Sequence, residues 1–147
     1  MIPPDRFIPL AEKSGMIVAI GLFVMRSACR CIARLHQQGH TGLSMAINVS
    51  QVQLKEADFI EQLEHIMTET GVNPAAIELE ITESMAADDL TFIVSRLQQI
   101  RNLGVRIAID DFGTGFSSLS VLRHLPATRL KIDRAFVNEL NSDDSIA

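Results

Sequence analysis

Through the first third of the chain, apolar residues return every three to four positions; from Leu43 onward they gather into short runs separated by longer amphipathic stretches. The first rhythm predicts helices. One spans Pro4 to Lys13, with proline near its first turn and Gly15 as its stop. A second spans Val18 to Gln38, carries Leu22, Met25, Cys29, Ile32 and Leu35 on one stripe, and closes at Gly39. The short runs predict strands at Leu43 to Val49, Ile77 to Thr82, Val105 to Asp110 and Leu130 to Asp133. Helices are expected between them at Asp58 to Thr70, Asp88 to Leu103 and Ser117 to His124. Gly71 and Gly104 end the first two of these, and Asp88 suits the N-cap of the second. Strand alternating with helix predicts an α/β fold with a parallel sheet and right-handed crossovers.

Open doubly wound sheets and closed barrels share that alternation, and the strand tips discriminate between them. Asn48, then Glu80 and Glu83, then Asp110 and Asp111, then Lys131 and Asp133 stand at four successive carboxyl ends. A barrel site is assembled from the ends of several strands, whereas an open sheet binds at one switch point. Any single one of these acids could be a solvated strand end; four polar tips in a row, each closing an apolar run, point to a site. Carboxylates crowded on one rim repel unless a cation lies among them. Glu, Asp and an Asn carbonyl are hard donors that suit Mg²⁺ or Mn²⁺, while zinc usually brings His or Cys. Adjacent Asp110 and Asp111 are suited to different ions because successive side chains diverge. In the turn that follows, Gly113 and Gly115 permit close backbone approach, and Ser117 or Ser118 can cap a helix whose N–H groups suit a phosphate. The Asp-Phe-Gly triplet lacks the other kinase signatures, so a kinase is excluded.

Composition narrows the classes further. The 147 residues are 47% hydrophobic and 21% charged, which marks a folded domain, and the net charge of -5 argues against a protein that grips DNA. The longest apolar stretch, Met16 to Met25, is broken by Gly21 and ends at Arg26, so no membrane span is expected. Residues Met1 to Arg6 lack a secretory pattern, which predicts a cytoplasmic chain. Cys29 and Cys31 diverge on a helix and read as reduced thiols. His36, His40, His65 and His124 show no ligand spacing.

The runs Phe7-Ile8-Pro9-Leu10-Ala11-Glu12, Asn48-Val49-Ser50, Glu78-Leu79-Glu80-Ile81-Thr82-Glu83-Ser84, Asp110-Asp111-Phe112-Gly113-Thr114-Gly115-Phe116-Ser117-Ser118 and Leu130-Lys131-Ile132-Asp133 resemble the EAL domain of bacterial cyclic di-GMP phosphodiesterases. The resemblance implies a (β/α)8, TIM-like barrel that hydrolyses cyclic di-GMP to linear pGpG with two ions, Mg²⁺ or Mn²⁺. It implies Asn48, Glu80, Asp110 and Asp111 as metal ligands and Lys131 as the group that positions or helps deprotonate water. Glu83 would tether the loop that begins at Asp111, with Gly113, Thr114, Gly115, Phe116 and Ser117 lining the substrate. Phe116 stands where the family often has Tyr. The family's Glu-Ala-Leu and Glu-Gly-Val-Glu motifs are absent from these residues, so the chain reads as a single incomplete domain, a partial barrel inactive alone. It should self-associate or pair with the missing remainder of the domain. The alternative is a module that binds cyclic di-GMP or a protein without cleaving anything.

Overall fold

Gly15 sets the start of the architecture. In the computed structural model, which describes residues 1–87, 89–112, 123–134, 137 and 138, it takes φ 75° and turns helix α1 (Pro4–Ser14) directly into helix α2 (Met16–Gln37). A left-handed residue costs glycine no Cβ clash, so α2 begins at Met16 rather than at Val18. After α2 come β1 (Met45–Asn48), α3 (Gln51–Lys55), α4 (Phe59–Thr70), β2 (Ile77–Thr82), α5 (Glu83–Ala87), α6 (Leu90–Asn102), β3 (Arg106–Phe112) and β4 (Arg129–Ile132). Leu43 and Ser44 lie outside β1. The helix expected over Ser117 to His124 falls mostly outside the described residues. The cap of α6 is Asp89, one position beyond Asp88; its carboxylate accepts from the Phe92 N–H at 3.2 Å.

The four strands are parallel and lie in the order β1-β2-β3-β4, which is also their order along the chain. A doubly wound sheet reverses its order at a switch point, and these strands do not. They form an arc of a (β/α)8-type barrel, with helices flanking it.

Alternation along the strands separates two faces. Ile47, Ile77, Leu79, Ile81, Ile107 and Ile109 are buried beneath the helices against Leu54, Leu63, Ile66, Ile93, Leu97 and Ile100. Each such side chain contributes roughly 1.5–3 kcal/mol by leaving water. The opposite face carries Asn48, Glu78, Glu80, Ala108, Asp110, Arg129 and Lys131, and this face becomes the site.

Helix α2 is 22 residues long and apolar enough, by length and composition, to cross a membrane, although the sequence pattern shows only a broken run. Met25, Cys29, Ile32 and Ala33 bury its stripe in the domain core instead. Arg26 and Arg30 on α2 both reach Glu69 near the end of α4, at 3.2 and 2.7 Å, fixing the two helices side by side.

Candidate active site

Register brings the predicted strand tips together. Asn48 pairs with Glu80, Glu80 with Ala108, and Ala108 with Arg129. Residues paired this way share a face, so Asn48 stands beside Glu80, and both line a cleft of about 570 Å³. Lys131 donates from Nζ to both oxygens of Glu80 at 3.0 Å and lies 3.5 Å from Oδ2 of Asp110. Glu80 is buried. Its hydrogen bond to Lys131 is the main cause that holds the lysine above its ordinary pKa, opposed by desolvation and helped by the Asp110 charge. Lys131 is therefore an ammonium at neutral pH, placed between two carboxylates.

Between Ile109, which pairs with Leu130, and Phe112, which pairs with Ile132, strand β3 has two residues where β4 has only Lys131. The extra residue is a β-bulge at Asp110 and Asp111, a device that re-aims side chains next to sites. Asp111 takes φ 57°, the positive-φ non-glycine residue of the described chain, and its N–H donates to Oδ1 of Asp110 at 2.9 Å. Short polar side chains are the ones that tolerate this conformation. Desolvation, then the charges of Asp110 and Asp133, push the Asp111 carboxyl above its usual range, and Lys131 offsets part of that.

Glu83 opens α5 directly after β2 and is 2% exposed, so it is a buried acid at that strand's carboxyl end. Gly113, Thr114, Gly115, Phe116 and Ser117 lie outside the described residues. Among the described residues, no three His, Cys, Asp or Glu side chains are grouped as a ready metal cage.

The sequence pattern missed a second cluster across the cleft. Ser50 caps α3: its Oγ accepts from the Val52 N–H at 3.2 Å, and its own N–H donates to Oε1 of Gln53 at 3.1 Å. The same Oγ donates to Oε1 of Glu12 on α1 at 2.6 Å, tying the first helix to the loop just beyond Asn48. Gln53 is buried against Gly21, whose missing side chain leaves its seat: a Cβ there would lie 1.6 Å from Nε2. The Ser-x-x-Gln spacing of a capping box was the available signal. Nothing in the spacing of Glu12 could have pointed to a partner 38 residues away.

Residues 1–147 match the family described as EAL domain. The chain is 43% identical over 147 residues to the bifunctional diguanylate cyclase/cyclic di-GMP phosphodiesterase MucR of Pseudomonas aeruginosa, covering 99% of this chain and 22% of that protein. It is 40% identical over 140 residues to the cyclic di-GMP phosphodiesterase NbdA of the same species, covering 95% of this chain and 18% of that one. The chain thus spans about a fifth of the length of these curated relatives. A solved structure titled "PaMucR Phosphodiesterase, c-di-GMP complex" superposes with a TM-score of 0.91 at 43% identity, over 98% of this chain and 59% of its own.

Proposed function

Because the chain belongs to the EAL domain family, we propose that it forms part of an enzyme that hydrolyses one phosphodiester bond of cyclic di-GMP to give linear pGpG. One observation carries the reading: Lys131, Glu80 and Asp110 meet at the carboxyl ends of three parallel strands, on the rim where barrel enzymes work. The names of the relatives supply the substrate.

The donor set suits hard divalent ions. Asn48, Glu80, Asp110 and Asp111 offer oxygen only, and Glu80 and Asp110 already share one cationic group, the Lys131 ammonium. Mg²⁺ or Mn²⁺ held by these four residues would supply charge stabilisation to the attacking and leaving oxygens of an in-line displacement. Lys131, protonated, would orient the attacking water and draw negative charge toward itself, acting as a hydrogen-bond donor rather than a base. Glu80 would hold Lys131 in that position, and the bulge would turn Asp110 and Asp111 toward the same rim. Glu83, buried at the start of α5, would anchor the loop that begins at Asp111. The four described strands make half of an eight-stranded ring, so this arc would work only when joined to a complementary one.

The assay is pGpG release by the protein that carries these residues, with Mg²⁺ or Mn²⁺ supplied. Lys131→Ala, Glu80→Gln and Asp110→Asn should each lower kcat by about 10²–10⁴-fold. A parent protein that releases no pGpG with either ion would overturn the reading.

A further inference from the structure

Two ion pairs on the inner face of the sheet each reach over an intervening strand. Glu78 and Glu80 belong to β2, Arg129 and Lys131 to β4, and β3 runs between them. Neighbouring strands lie about 4.8 Å apart, so the partners' backbones are separated by roughly twice that. Arg129 Nη1 nonetheless reaches Oε1 of Glu78 at 3.1 Å, and Lys131 Nζ reaches both oxygens of Glu80 at 3.0 Å.

What lies between the partners is Ala108. It pairs with Glu80 on one side and Arg129 on the other and is fully buried. Glu78 is level with Arg106, and Arg129 is level with Ala108, so the first pair crosses β3 between those two residues. Glu80 is level with Ala108, and Lys131 stands beyond Arg129, so the second pair crosses between Ala108 and Asp110. Both therefore pass beside a single methyl group. A longer side chain at that position would fill the space the charged side chains cross.

We infer that Ala108 is a positioning residue: its small size keeps open the passage through which Lys131 meets Glu80, and the Glu78–Arg129 pair below forms a second rung that fixes the height of β4. The inference deepens the hydrolase reading, and rests on it only for the effect on turnover.

The test compares Ala108→Gly with Ala108→Val by crystal structure, melting temperature and pGpG release, all on the protein that carries these residues. Glycine weakens a strand but leaves the passage open; valine favours a strand but closes it. The glycine variant should melt lower than the parent, keep Lys131 within hydrogen-bond distance of Glu80, and retain the parent kcat. The valine variant should also melt lower than the parent, because Glu80 stays buried without its ammonium, but unlike the glycine variant it should lose the Lys131–Glu80 contact and fall by at least about 100-fold in kcat with little change in KM. Should valine prevent folding, Ala108→Cys, which adds one sulfur atom, should show the same loss of contact. A valine or cysteine variant that keeps the contact overturns the inference, as do rates that simply follow melting temperature across the set. A parent that releases no pGpG defeats the hydrolase reading, while the Lys131–Glu80 distances still decide the role of Ala108.

Discussion

Asp111 donates its backbone N–H to Oδ1 of Asp110 at 2.9 Å, with its own φ at 57°, so two consecutive acids are locked into one bulge opposite Lys131. Ordinary strand alternation would send them to opposite faces. The sequence pattern predicts diverging side chains here; the bulge instead sets both acids opposite the single residue Lys131 of β4, inside the ladder.

The raised pKa of Asp111 predicts a stability cost in the ion-free chain. Below its ordinary value of 3.8 the carboxyl is protonated in both states. As pH rises past 3.8 the unfolded chain loses this proton first, so stability falls until pH passes the higher folded value. Asp111→Asn, which removes the titration, should raise the urea midpoint at pH 7 in the presence of chelator. The gain should be below about 1 kcal/mol because the residue is largely exposed. The difference should vanish below pH 3.5 (roughly, since the unfolded-state value is about 3.9).

Glu69 has the opposite sign. Hydrogen bonds from Arg30 and then Arg26 hold its carboxyl below the ordinary value of 4.5. Their stabilising effect is present above 4.5 and is lost as pH falls through the lowered folded value. Glu69→Gln should flatten that part of the stability profile between α2 and α4, and added salt should shrink the difference. Unfolding midpoints that fall equally in both proteins on acidification would refute it.

Gly21 lies inside a helix, where alanine normally gains about 1 kcal/mol. Here its Cβ would meet the amide of Gln53, which accepts from Ser50 to cap α3. Gly21→Ala should therefore yield little or no net stability, because losing a cap interaction costs about 1 kcal/mol. In a Gln53→Ala background the same substitution should show its full helical gain. A double-mutant cycle in urea reads this directly.

Removing Lys131 should leave Glu80 buried without the ammonium beside it. Lys131→Met is expected to destabilise the ion-free chain by about 1–3 kcal/mol, and Glu80→Gln introduced with it should restore part of that. Equal stability of parent and Lys131→Met would mean that the contact contributes nothing to folding.

Much of the scaffold could be read directly from the order of residues. All four strands fall within two residues of their predicted ends, because each is a short apolar run closed by a polar tip. The tips themselves, Asn48, Glu80, Asp110 and Lys131, stood out for the same reason. Local helices of five residues did not: α3 and α5 are too short to show a period, although Ser50 and Gln53 carried a cap signal. The bulge was invisible because it exists only in the pairing of β3 with β4, and Glu12 because it reaches the cleft from a different helix. Ala108 gave no sign at all, since a small apolar residue gains meaning only from what crosses beside it.

Strand order that repeats chain order also bears on how the polypeptide assembles as it leaves the ribosome. Each new strand can dock on the edge completed just before it, with the intervening helix closing over the seam, and no earlier strand must wait for a distant partner. On that route β4 arrives last among the described strands, so the junction of Lys131 with Glu80 forms only after β1, β2 and β3 are in place.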